Sequence, residues 1–407
     1  MTRITPQPVR EKIAHSLSQV LGYARERGYA GYSKFDALNA PFLTTLFGWH
    51  PATRLIVTQA ISRIPLNLRG LFGVRKSRNP KGIANFIKAL CHLHSMNPKD
   101  EIKGEIKSLT DWLLANHGNR EGRFSGICWG YNFPWQNPGF FAPRFFPNAI
   151  VTTFCAEAFL SAHRSLSEDA YLDTAVDAAR YLLRDLPILE EDKDTKCIGY
   201  VSAPLRLKVV NINAVIGGFL AKLADRTGEA TYLEEARKMI NWTLSVKTDY
   251  HAWYYTEPPT AYVRDHDNYH TGGILDGIYD YLTVAEERRY LLSYMRGIQF
   301  YEERLFEPSG APKWRSSKSH PFDIHGSAQG ILSFTKAARY NPSFLDAAVR
   351  IALWAIENMQ GPTGGFYYQK RRFFLWKVDL MRWNNSWMAW ALAELLHSIQ
   401  NMDVSVG

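Results

Sequence analysis

The densest set of chemically capable side chains in this 407-residue sequence lies in AYVRDHDNYHTGG (261–273), where Arg264, Asp265, His266, Asp267, Asn268, Tyr269 and His270 follow one another without a break. Two further segments carry similar groups. PFDIHGS (321–327) holds Asp323 and His325, and LMRWNNSW (380–387) holds Arg382, Trp383, Asn384 and Asn385. His, Asp and Tyr can exchange protons with a substrate, while Arg and Asn hydrogen-bond carboxylates and oxyanions. None of the three segments is specific alone; their recurrence at equivalent places in a repeat is the signal. The spacing of Asp265, His266 and Asp267 matches no recognised metal-ligand pattern, so no metal is expected. The sequence contains no P-loop, no Rossmann fingerprint and no G-x-S-x-G, and no cofactor is expected either.

The elements that must position these groups form a repeat. Six short aromatic or Gly-rich stretches each run into an apolar helix that starts at Asn79, Asn148, Asn213, His270, His325 or Asn385. The spacing is roughly 55 to 65 residues over most of the chain, the signature of a repeat architecture. Each apolar helix is followed by an amphipathic one. YLDTAVDAARYLLRDL, YLEEARKMINWTLSVKT, YLLSYMRGIQFYEERLF and FLDAAVRIALWAIENMQ place apolar residues at three- and four-residue spacing, with charge on the other face. NAVIGGFLAKLA and NSWMAWALAELL carry few charges and many small residues, as helices buried on most sides must. Between them CWGYNFPW (128–135), CIGYVSA (197–203), AWYYT (252–256), PKWRS (312–316) and GGFYY (364–368) read as short strands or extended loops. Six helical hairpins predict an all-α, (α/α)6 toroid. It spans 1–407 as one domain, with a basic helical insertion at about 37–78 before the first apolar helix.

In such a ring the inner helices run parallel, and their N-termini and preceding loops gather at one mouth. Asn79, Asn148 and Asn213 read first as N-caps, because Asn at a helix start satisfies backbone donors. Histidine is not a favoured cap, so His270 and His325 read as functional. Asp267 and Asp323 leave cap and acid–base roles open, and Arg264 and Tyr269 leave substrate contact and packing open. Trp129, Tyr131, Trp135, Trp253, Trp314, Tyr367 and Trp383 precede the inner helices. They are either core anchors or a ring of flat faces on which sugars stack.

Composition narrows the class further. Apolar residues make up 46% of the chain, enough for a sizeable core, and aromatic residues 14%. Cys91, Cys128, Cys155 and Cys197 are scattered, which suits buried thiols in a reducing compartment. No secretory leader and no long uncharged apolar run is read, so a cytoplasmic protein is expected. The net charge is +9, and nine basic residues with no acidic one lie between Asp36 and Asp100. Over 54–78 these interleave with Leu, Ile, Val and Phe, a pattern that can rest on an anionic membrane, or that packs as a helix with solvated arginines. Nucleic acid is not expected as a partner, since no helix-turn-helix, zinc-finger or RNA-binding motif accompanies the charge.

With this repeat and these loops, the chain resembles the (α/α)6-toroid proteins encoded in bacterial exopolysaccharide gene clusters. More distantly it is similar to toroid carbohydrate-active enzymes: uronyl hydrolases, polysaccharide lyases and N-acylglucosamine 2-epimerases. The resemblance covers nearly the whole chain as a helix pattern and implies an oligo- or polysaccharide, acidic or lipid-linked, in the mouth. Glycosidic bond cleavage leads. A hydrolase would use Asp267 and Asp323 as its carboxyl pair. A uronate lyase would use Asn213, Asn385 and Arg264 on the sugar carboxylate, with Tyr269 or His270 on the α-proton. An epimerase would pair His270 with His325. A fourth reading is a glycan-binding component without catalysis. Arg382 and Trp383 join the substrate contacts in each.

Overall fold

The computed structural model describes residues 5–136, 140–203, 205–259, 265–285 and 287–404. Among them are fourteen α-helices. They are α1 (Gln7–Glu26), α2 (Pro41–Phe47), α3 (Pro51–Arg63), α4 (Pro80–Met96), α5 (Asp100–Ala115), α6 (Ala149–Leu166), α7 (Asp169–Arg184), α8 (Val210–Thr227), α9 (Ala230–Ser245), α10 (Asn268–Ala285), α11 (Arg288–Leu305), α12 (Ile324–Ala337), α13 (Ser343–Met359) and α14 (Ser386–Val404). Helices α4, α6, α8, α10, α12 and α14 pack each on the next, and α14 returns onto α4, so the inner ring is closed. Helices α5, α7, α9, α11 and α13 each cover the inner helix before them, while α1 covers α14. The expected (α/α)6 toroid is the fold. Helices α2 and α3, after a short 3-10 turn at Asp36–Asn39, lie between α1 and α4 in the chain.

Residue type explains which helix lies where. The inner helices bury most of their residues; α12, for example, is buried from Ile324 through Thr335 without interruption. Close approach of α8 to α10 depends on glycine: a Cβ on Gly218 would lie 2.8 Å from the Gly277 carbonyl oxygen, and one on Gly277 2.2 Å from that of Ala214. The ring is joined across the chain ends by α1. Ser16 Oγ donates to Gln360 Oε1 at 2.7 Å, and Gln360 Nε2 donates back to the Ser16 carbonyl at 3.1 Å.

Only part of the expected strand set is present. Short antiparallel pairs join 135–136 to 141–142, 188–191 to 196–198 and 208–209 to 256–257, and a three-stranded piece joins 322–323, 369–370 and 375–376. The segments 312–316 and 364–368 contribute isolated bridges instead. All four cysteines are buried free thiols. Among the described residues no helix is long and apolar enough to cross a membrane.

The inner helices are less free of charge than their small-residue content suggests. Each of the six contributes a charged side chain to one ring near the barrel axis, with alternating signs: Lys88, Glu157, Lys222, Asp280, Lys336 and Glu394; α10 adds a second carboxylate, Asp276, 3.7 Å from Lys336. Lys88 lies 3.4 Å from Glu157; Lys222 bridges Glu157 at 2.6 Å and Asp280 at 2.8 Å; Lys336 reaches Asp280 at 3.0 Å. Burial raises the Asp280 carboxyl pKa, but Lys222 and Lys336 outweigh it and hold it at about 2. Glu394 is the member without a close lysine. Burial pushes its carboxyl up to about 7 from an ordinary 4.5, with Lys336 opposing. Above the ordinary value the unfolded chain releases a proton that the folded chain retains, so this group lowers stability as pH rises from 4.5 to about 7. Glu394→Gln is therefore expected to stabilise the protein by about 3 kcal/mol at about pH 8, and far less at about pH 4, in urea unfolding.

Candidate functional site

A cavity of about 450 Å³ opens at the N-terminal ends of the inner helices. Its walls are largely aromatic: Tyr131, Phe133 and Trp135 from the loop before α6, Tyr200 and Tyr255 from the next two loops, then Tyr269, Trp383 and Trp387. Tyr131 and Phe133 stack nearly parallel, with centroids 5.1 Å apart and planes at 11°. The polar lining consists of Lys81, Gln136, Asn211, His270, His325, Gln329 and Arg382, with Thr58 and Gln59 arriving from α3. Gly273 also borders the cavity, and a Cβ there would meet nothing within 4 Å.

The two histidines enter from neighbouring inner helices. His270 is the third residue of α10, and the carboxylate of Asp267 accepts both its backbone N–H (3.0 Å) and its Nδ1–H (2.7 Å). Of the cap and acid–base roles left open for it, Asp267 makes the contact of a cap to the His270 N–H, and it also fixes the His270 tautomer that leaves Nε2 without a proton in the neutral ring. Burial acts to raise the Asp267 carboxyl pKa, but the charge and hydrogen bonds of His270 and the charge of Arg315 hold it below the ordinary range. His325, in the first turn of α12, lies among rings: Tyr269 at 4.8 Å and 24°, Trp383 at 4.4 Å, Trp387 at 4.2 Å. Its Nδ1 is buried without a hydrogen-bond partner. Burial, then the charges of Lys81, Arg382, Lys34 and His270, push the His325 pKa well below 6.5, so the ring is neutral near pH 7. Between the two histidines stands Tyr269, whose centroid is 4.4 Å from that of His270. Burial, then Asp267 and Asp323, raise its phenol well above 10.0, so Tyr269 is a proton donor rather than a base.

Two buried cations complete the lining. Lys81, two residues after the Asn79 cap of α4, places Nζ 3.9 Å from the Phe154 ring centroid. Arg382 is carried by a π-helical turn at Met381–Asn385 and has its guanidinium 5.1 Å from the Tyr131 centroid, with Nε buried and unpartnered. Among the described residues neither meets a carboxylate within salt-bridge distance. Burial, then Arg382 and Lys88, push the Lys81 ammonium pKa well below 10.5. An anionic group entering the cavity would favour its charged form.

Several expected site residues are placed elsewhere. Asp323 caps α12 and uses both oxygens within the protein, accepting from His325 N (3.0 Å), Trp383 Nε1 (2.9 Å) and Gln369 Nε2 (2.9 Å). Neither it nor Asp267 borders the cavity, so the carboxyl pair expected for hydrolysis is not presented there. Asn213 is neither cap nor contact: α8 begins three residues earlier, and its amide accepts from Ile198 N and donates to the Val209 carbonyl. Asn385 likewise accepts from Phe366 N and donates to Asp379. Trp129 and Trp253 are core anchors, their indoles donating to the Leu113 and Thr243 carbonyls. Trp314 and Tyr367 are half-buried outside the lining, and Arg264 lies outside the described residues. Asn79 and Asn148 are the N-caps expected of them. Sequence reasoning missed Lys81 and Asn211, whose Oδ1 is buried without a partner at the cavity wall. A lysine in the first turn of an inner helix was the available signal for Lys81.

No protein-family model and no curated protein matches this sequence. Solved structures do match. Cellobiose 2-epimerase from Spirochaeta thermophila superposes with a TM-score of 0.62 at 13% identity, covering 80% of this chain and 87% of its own. An α-mannanase from Bacteroides thetaiotaomicron gives 0.60 at 12% identity over 82% and 89%. An unsaturated glucuronyl hydrolase from Streptococcus agalactiae, a mutant complexed with dGlcA-GalNAc6S, gives 0.62 at 12% identity over 97% and 92%. The chain has the (α/α)6-toroid fold of these carbohydrate-active enzymes. The expected resemblance holds at that level.

Proposed function

We propose that this protein is a carbohydrate-active enzyme that moves a proton at a carbon beside the carbonyl of an acidic sugar, with epimerisation the reaction best supported. The observation that carries this reading is the pair of acid–base groups in one aromatic cavity. His325 is neutral with an unpartnered Nδ1, and His270 is oriented by Asp267. One histidine takes the proton, and the other returns one to the opposite face. Tyr269, protonated between them, can donate a hydrogen bond to the enolate oxygen that forms. The aromatic walls suit the faces of a sugar ring. Hydrolysis, which needs two carboxyl groups across the scissile bond, has less support, because Asp267 and Asp323 are engaged within the protein.

A second reading, β-elimination from a uronate, is favoured by one feature. Lys81 and Arg382 can neutralise the sugar carboxylate whose α-proton is removed, and either could then help stabilise the resulting dianion. Both readings are tested by incubating uronic-acid and neutral oligosaccharides with the protein in deuterium oxide. Epimerisation puts deuterium at the carbon beside the carbonyl without chain cleavage. Elimination produces an ultraviolet-absorbing unsaturated sugar. New reducing ends without deuterium or unsaturation would mean hydrolysis and would overturn the proposal, as would binding without any turnover.

A further inference from the structure

We infer that the mouth end of the toroid docks on an anionic lipid bilayer through the insertion at 37–78. This goes beyond the proposed reaction and does not depend on which reaction the cavity performs. Fourteen large apolar side chains are exposed among the described residues, and seven of them fall between Phe42 and Leu71: Phe42, Leu46, Phe47, Trp49, Ile56, Leu66 and Leu71. Such a concentration on one small element marks an interaction surface rather than scattered exposure. The insertion has its own small core of Leu38, Leu43, Val57, Ile61 and Val74, so these apolar tips are displayed by a packed element.

Charge identifies the occupant. Some of the basic residues in this stretch are used internally. Arg69 pairs with buried Asp36 at 2.7 Å, Arg54 donates to the Gly48 carbonyl and Gln136, and Arg78 donates to the Gly28 carbonyl. Arg63, Arg75 and Lys76 are exposed on the same stretch of chain as the apolar tips, a stretch without an acidic residue between Asp36 and Asp100. Cations interleaved with protruding aromatic and aliphatic groups suit anionic headgroups above an acyl boundary. A second copy of the chain would set like charge against like charge. The hairpin before α14 adds a similar tip, with Arg372 exposed beside Phe373 (88% exposed) and Phe374. Tyr32 packs against both the insertion core and the cluster containing Tyr368 and Trp376 at the base of that hairpin. Helix α3 also sends Thr58 and Gln59 to the cavity wall. Docking through this element therefore holds the mouth beside the lipid surface.

The test is co-sedimentation of the full chain with phosphatidylcholine vesicles, with and without a minority of phosphatidylglycerol. The wild type is expected to pellet with the anionic vesicles only, and less so at high salt. Arg63→Gln/Arg75→Gln/Lys76→Gln should weaken partitioning about a hundredfold, from roughly fivefold per surface cation. Phe42→Ser/Trp49→Ser/Leu71→Ser should weaken it at least about tenfold. Wild-type protein that stays in solution with anionic vesicles overturns the inference, whatever the variants do. So does a lipid-free dimer, seen by light scattering, that the second variant dissociates.

Discussion

His325→Phe is expected to lower kcat by about 10²- to 10⁴-fold, the usual contribution of a positioned general acid or base, with no comparable change in melting temperature. Phenylalanine keeps an aromatic ring against Tyr269, Trp383 and Trp387 and removes both nitrogens, so a loss of turnover reports proton transfer rather than packing. His270→Gln should cost a similar factor if two acid–base groups are required, and the double variant should fall little below either single one. The pH dependence adds a further check. Because burial and the neighbouring cations hold His325 well below its usual 6.5, the basic form persists into acid. The limb of kcat/KM set by this base in the free protein therefore lies below pH 6.5. Full activity in His325→Phe would remove this residue from the chemistry, and with it the two-histidine mechanism.

Lys222→Met is expected to destabilise the fold by about 3 kcal/mol, the low end of the cost of withdrawing one partner from a buried ion pair, because each carboxylate keeps a second lysine. Lys222 is the one lysine that touches two members of the axial ring at close range, Glu157 at 2.6 Å and Asp280 at 2.8 Å. Methionine fills similar space but withdraws the charge shared by both carboxylates, leaving Glu157 to Lys88 at 3.4 Å and Asp280 to Lys336 at 3.0 Å. Removing one partner of a buried network is costlier than removing both, so Lys222→Met/Glu157→Gln should recover part of the loss. Guanidinium unfolding of the single and double variants near neutral pH measures this. A loss below about 1 kcal/mol would mean that solvent screens the ring as it does an exposed pair.

The hydrophobic pattern alone determined the architecture of this protein. Inner helices are apolar nearly all round and outer ones amphipathic, and six such pairs of similar length have one economical arrangement, a closed ring. It also marked His270 and His325, because histidine stands there at the register where an ordinary cap is expected. What it could not determine was which way each polar side chain turns. Asn211 and Asn213 are two residues apart on α8, about 200° around the helix axis. One borders the cavity and the other pins the preceding loop. A helix start misplaced by three residues is enough to exchange them. Trp129 and Trp253 share the loop chemistry of Tyr131 and Trp135, yet their indoles meet carbonyls at the ends of outer helices, partners set by tertiary packing. The alternating ring of six charges depends on closure itself, because Lys88 and Glu394 share one ring only when the last inner helix returns to the first. Local sequence fixes periodicity and propensity. Facing, pairing and burial are properties of the closed ring, and the chemistry of the mouth depends on them.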